Sequence, residues 1–119
     1  MSEHTPKVWV VNFAGHDYSP AKQYGELDFL TRGYVSLGSL DRLFYTISEA
    51  VAETHPDDFI LPAGFAILNV VASAVWLQLH GKINILVWDP KQERYRQLTF
   101  TGDQINDLVN VLDQDASEA

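Results

Sequence analysis

A chain of 119 residues, 46% hydrophobic and 20% charged, amounts to one domain and is large enough to bury a core without metals or cross-links. It contains no cysteine, which excludes disulfides, thiolate catalysis and cysteine-type zinc sites and fits a reducing compartment. Sixteen acids against eight bases give a net charge of −8, the wrong balance for binding duplex nucleic acid, which works by neutralising phosphates.

The first seven residues are polar and offer no apolar h-region, so no signal peptide is expected. Residues 7–13, KVWVVNF, are rich in β-branched and aromatic side chains and predict a first strand. It runs into a polar loop, AGHDYSP, where Gly15 and Pro20 break regular structure. One helical turn is expected over 21–25 and a shorter second strand over 26–31, closed by a turn at Arg32-Gly33.

Ser39 is placed to cap a helix over about 40–54, with Asp41 in its first turn. Leu40, Leu43, Phe44, Ile47, Ala50 and Val51 form its apolar stripe. His55-Pro56 stops it, because the residue before a proline avoids the α region. Phe59-Ile-Leu61 then reads as a buried strand, Pro62-Ala-Gly64 as a tight turn, 66–79 as a nearly all-apolar helix, and 83–88 as a second buried strand. This βαβ unit is the predicted core, since parallel strands covered on both faces become continuous apolar runs.

The helix of that unit carries Asn69, Ser73 and Gln78, making the run too short and too polar to span a bilayer. Gly81 is placed to close it in a left-handed conformation. A turn at 89–94 is too short for a parallel crossover, so 95–101 predicts an antiparallel hairpin partner. Thr101-Gly-Asp-Gln104 matches a capping box, and Ile105, Leu108, Val109 and Leu112 predict a last amphipathic helix packed back on the sheet. The expected fold is α/β: a single small, mostly parallel, Rossmann-like sheet with flanking helices and an antiparallel edge hairpin. Residues 1–113 form one domain and 114–119 a frayed acidic tail.

In open α/β sheets ligands bind beyond the carboxyl ends of the strands, where helix N-termini present backbone amides. Two segments qualify: Asn12 to Ser19 and the turn around Gly64. If their strands are neighbours, both line one crevice, which Lys22, Tyr24 and Thr31 could join. Candidate ligand-binding residues are therefore Asn12, Gly15, His16, Asp17, Tyr18, Ser19, Lys22 and Gly64. The glycines permit close backbone approach and Lys22 supplies charge, which suits a nucleotide or nucleotide signal. Neither Gly-x-Gly-x-x-Gly nor a Walker loop is present.

A catalytic arrangement of His16 as base, Asp17 as orienter and Ser19 as nucleophile starts from poor geometry, because adjacent residues of an extended segment point apart. The same Asp17-Tyr18-Ser19-Pro20 group is what an Asx-type turn uses to cap a short helix. A metal site from His16 and Asp17 with His55 or His80 has no matching spacing. No enzyme activity, cofactor or metal is expected.

At Val10-Val-Asn-Phe-Ala-Gly-His-Asp-Tyr-Ser19, with Gly25-Glu26, Leu30-Thr31-Arg-Gly33, Pro56-Asp-Asp-Phe-Ile-Leu61, His80-Gly-Lys-Ile-Asn-Ile-Leu86 and Arg94-Tyr95, the chain resembles a family of small tailed-bacteriophage proteins carrying a Gly-His-Asp-Tyr-Ser loop. The likeness covers most of residues 7–100. It implies a phage accessory protein acting in the host cytoplasm, and it carries over no catalytic residue. With the acidic charge, it makes binding of a host protein, to modulate host machinery or antiviral defence, the expected function. Tyr18, Tyr24, Tyr34 and Tyr95 would serve as interface anchors. Self-association is the further option, no membrane contact is expected, and on the nucleotide alternative His16→Ala and Gly64→Val would each abolish the ligand response with the fold intact.

Overall fold

The computed structural model describes residues 4–34 and 38–118. Five strands form one sheet: β1 (Lys7–Phe13), β2 (Glu26–Arg32), β3 (Phe59–Leu61), β4 (Lys82–Asp89) and β5 (Arg94–Thr101), in the order β2-β1-β3-β4-β5. β1 pairs parallel with β2 and β3, β3 pairs parallel with β4, and β4 pairs antiparallel with β5. The α/β sheet with an antiparallel edge pair is the architecture the apolar runs predict.

β1 shows why its run lacks alternation. Trp9 and Val11 point into one core cluster, while Val8 and Val10 point into another on the opposite face. The first cluster is covered by α1 (Leu40–Val51) and α2 (Ala66–His80), through Leu43, Ile47 and Val51 of one and Leu68, Ala72 and Trp76 of the other. Each such side chain taken from water contributes about 1.5–3 kcal/mol. Ser39 caps α1, its hydroxyl accepting the Arg42 N–H at 3.4 Å. Gly81 closes α2 at φ 75°, as expected.

The second face has a thinner cover. Parallel strands need a crossover of about a dozen residues, and β1 and β2 are joined without an α-helix, through a 3-10 helix at Ser19–Gln23. Tyr18, Ala21 and Tyr24 of this segment pack on Val8, Val10, Leu61, Leu86 and Tyr95. The polar loop after β1 is thus also the lid of the second core, and Tyr24 donates its hydroxyl to the Tyr95 carbonyl at 2.8 Å.

Two expectations are corrected. α3 (Gly102–Glu118) does not pack back on the sheet: its residues 103–116 are all exposed. The reason is its start. β5 ends at Thr101 and α3 begins at Gly102 with no residue between them. The expected capping box is formed, Thr101 Oγ1 accepting from Gln104 N at 3.1 Å and Gln104 Oε1 from Thr101 N at 2.8 Å. Reversal onto a sheet takes a connection of a few residues, and none exists here. The helix also continues through the segment expected to fray, as far as Glu118, while Ala119 lies outside the described residues.

α2 is likewise not buried all round: Leu68, Ala72 and Trp76 form one buried stripe, whereas Val70 and Leu79 are exposed. Among the described residues no helix is long and apolar enough to cross a membrane.

The amino ends of β1 and β3 are joined by a buried polar centre. Asp58, 1% exposed, accepts hydrogen bonds from Lys7 N, Trp9 Nε1 and His55 N, each at 2.9 Å, and from the His4 ring at 2.6 Å. Burial pushes its carboxyl up, but these four donors together outweigh burial and hold it below the usual 3.8.

Candidate functional site

The opposite, carboxyl end of the sheet is where the loops after β1, β2 and β3 converge. Because β2 and β3 flank β1 on opposite sides and all three run parallel, the order in which strands are added reverses at β1, making the β1–β3 gap a switch point at which α/β sheets open a crevice. The two loops named from sequence do meet there. A hollow of about 510 Å³ is lined by Asn12, Phe13, Ala14, Gly15, Gly33, Tyr34, Gly64 and Phe65.

The walls of this hollow are fixed by side-chain to backbone bonds. Asn12, 1% exposed, donates from Nδ2 to the Gly33 carbonyl at 3.2 Å. Asn69 clamps the turn before α2, accepting Ala63 N at 2.9 Å and donating to the Ala63 and Phe65 carbonyls at 3.1 and 2.8 Å. Gly64 has φ 78°, a conformation that favours glycine. A Cβ built on it would stand 2.7 Å from Asn12 Cβ. Gly64→Val is therefore a folding lesion as well as a site change, contrary to the expectation of an intact fold.

Past Gly64, on the 3-10 helix side, lies a second hollow of about 370 Å³. His16, Tyr18, Trp88 and Tyr95 supply its aromatic wall, and Leu61, Pro62, Ala63, Leu86 and Val87 the rest. A recess of about 230 Å³ shares His16, Tyr18, Trp88 and Tyr95 and adds Asp17. Trp88 and Tyr95 are register partners across the hairpin, and their rings meet edge to face at 4.9 Å. His16 meets Tyr18 edge to face at 6.2 Å.

The electrostatics of this aromatic hollow are one-sided. The Ser19 backbone N–H, bonded to Asp17 Oδ1 at 2.9 Å, and then the Ser19 hydroxyl hold the Asp17 carboxyl below its usual 3.8. Asp17 is thus an anion at the rim. Burial, followed by the neighbouring Tyr18 and Asp17, pushes the Tyr95 phenol above 10, so Tyr95 stays neutral. Tyr18 is 6% exposed, and its buried hydroxyl has no hydrogen-bond partner among the described residues. None of the residues lining this hollow or its recess is Lys or Arg.

The candidates from sequence therefore divide. Asn12, Gly15 and Gly64 line the switch-point hollow, while His16, Tyr18 and again Gly64 line the aromatic one, with Asp17 in its recess. Ser19 and Lys22 line neither; they belong to the 3-10 helix. Tyr24 is spent on the Tyr95 carbonyl, and Thr31 donates to the Val11 carbonyl at 2.7 Å. Asp17 binds the Ser19 N–H in the Asx turn the segment predicts. A third hollow of about 570 Å³ beyond β2, sharing Tyr34 with the first, brings Arg32 and Arg42 together.

Trp88 is the residue that loop reasoning passed over. It closes an apolar run and so reads as core, but the short 89–93 turn fixes it opposite Tyr95, and that pairing is the signal that was there to use. Among the described residues there is no cluster of acids and histidines able to hold a metal ion.

No curated protein matches the chain, and no solved structure does. Residues 6–102 match the family described as Phage Pam3 gp32-like protein, and it is to this phage family that the chain belongs.

Proposed function

We propose that this phage protein is a non-catalytic accessory protein that binds a host protein, and that the aromatic hollow receives a basic side chain of that partner. The observation that carries the reading is Tyr18: a phenol lining one hollow with Trp88, Tyr95 and His16 whose hydroxyl has no partner among the described residues. A buried hydroxyl left unbonded costs about 1–3 kcal/mol; its oxygen is closed off from the surface, so a partner's donor or acceptor would offset that cost with a shift of the surrounding rings.

The surrounding chemistry selects the ligand. Aromatic faces attract cations, by about 0.5–1 kcal/mol at exposed sites and about 2 or more when water is excluded. Asp17 adds a carboxylate at the rim, and the chain as a whole is at −8. An arginine suits such a place, because its planar guanidinium stacks on rings while its N–H groups reach a carboxylate and a phenol. Such desolvated arginine contacts are the ones that dominate interfaces. Membership of a phage family supports host machinery or antiviral defence as the target.

The test is titration of the protein with a short arginine-containing peptide and its glutamate counterpart, following the Trp88 indole resonance. Saturable shifts with the first alone, lost in Trp88→Ala, support the reading. Equal response to both peptides, or none, contradicts it.

A second reading, a nucleotide or nucleotide signal in the switch-point hollow, is favoured by Arg32 and Arg42 in the adjoining space. They supply the phosphate charge that Lys22 does not bring to that hollow. Thermal stabilisation by a nucleotide, removed by Arg32→Ala and Arg42→Ala, would establish it in place of the first.

A further inference from the structure

Among the described residues, two of the exposed apolar surfaces adjoin the β5–α3 junction. One is the stripe of α3, where Leu108 and Leu112 are 60% and 56% exposed. The other lies on the β4–β5 hairpin. Its register sets Ile83 opposite Phe100, Ile85 opposite Leu98 and Val87 opposite Arg96, so these six share one face. Ile83, Ile85 and Phe100 pack against the helix-side core, but beyond them Leu98 is 52% exposed.

The chain cannot close this strip with its own α3, since the capped junction at Thr101 leaves no residue for a reversal. Both surfaces exist on every copy. We infer that the protein forms a two-fold dimer in which α3 of each copy lies on the β4–β5 strip of the other.

Charge and size agree. α3 carries Asp103, Asp107, Asp113, Asp115 and Glu118 and no base, whereas the hairpin's four bases, Lys82, Lys91, Arg94 and Arg96, outnumber its two acids, Asp89 and Glu93, of which Asp89 pairs with Arg96 at 3.6 Å. A helix of 17 residues is about 26 Å long and about 10 Å wide. Two reciprocal contacts of that footprint, counted on both partners, cover roughly 1,000 Å², about the lower bound for a biological interface. The arrangement is isologous and closes on itself, so it makes dimers and no fibres.

The experiment is light scattering with size exclusion on the full chain at tens of micromolar. The expected mass is twice 13.4 kDa. Leu108→Glu and Leu98→Glu should each give monomers with an unchanged circular dichroism spectrum, since both side chains are exposed within one copy. Mixing the two variants should restore association in part, because one of the two reciprocal contacts is then intact. Where Leu98→Glu disturbs the spectrum, Leu98→Gln carries the same expectation.

A wild-type monomer would overturn the inference and assign these surfaces to a different partner. So would a dimer broken by Leu108→Glu but not by Leu98→Glu, which would mean that helix pairs with helix. Neither variant touches Tyr18 or Trp88, so this result is separate from that for the aromatic hollow.

Discussion

Asn12 and Gly64 meet at the switch point so closely that a Cβ on Gly64 would fall 2.7 Å from Asn12 Cβ and 3.1 Å from its Cγ. Asn12 in turn bonds the Gly33 carbonyl. One side chain therefore ties the ends of β1, β2 and β3 together, and the glycine exists to let it in.

Gly64→Ala is expected to destabilise the fold by about 2 kcal/mol, from a left-handed backbone that alanine dislikes and a contact that must open. The check is urea unfolding, with a lower midpoint at an unchanged slope. A midpoint equal to wild type would mean that Asn12 moves freely.

Asp58→Asn should cost more. An amide in place of the carboxylate turns a donor toward Lys7 N, Trp9 Nε1 or His55 N, and bonds to a charged acceptor are each worth about 1.5–3 kcal/mol. The folded carboxyl is held below its usual 3.8. A depressed acid contributes stability in full above that value and loses it as pH falls through the folded pKa. The gap between wild type and variant should thus be constant at neutral pH and shrink only below about pH 3.8.

His80 gives a second window. Thr54 Oγ1 spends its proton on the Val51 carbonyl at 2.6 Å, so the 2.7 Å contact is His80 Nε2–H donating to Thr54. Burial first, then the positive potential of His55, hold the His80 ring below 6.5, against a smaller opposing pull from Asp58. A histidine with a depressed folded pKa contributes stability above 6.5 that is lost as pH falls through the lower, folded value. His80→Gln should flatten that part of the stability profile, read as melting temperature against pH.

Much of the architecture was legible because it rests on local pattern. The apolar runs of β1 and β4, the Ser39 cap, the Gly81 closure and the Thr101 capping box all act within a few residues. What escaped depends on distance. Asp58 looks like a loop acid, since its donors Lys7 and Trp9 lie 51 and 49 residues away. The periodicity of α3 says which face is apolar and nothing about what covers it. The loops after β1 and β3 meet because their strands are neighbours, but the division of the space between them at Gly64 follows from Tyr18 turning under the sheet to cap the second core, which no spacing encodes.

Tyr18→Phe separates stability from recognition. Removing a buried hydroxyl that has no partner among the described residues should leave stability unchanged or raise it by up to about 1 kcal/mol, while partner affinity falls. Loss of stability with affinity intact would give the phenol a purely structural role.

Binding of a host protein through the aromatic hollow is open to affinity capture from host lysate with wild-type, Tyr18→Phe and Trp88→Ala baits run side by side at low and high salt. One stoichiometric host protein is expected on the wild-type bait, diminished on both variants and at high salt, where attraction between a basic partner and this acidic chain is screened. A partner held equally by all three baits, or none on the wild type, would contradict it.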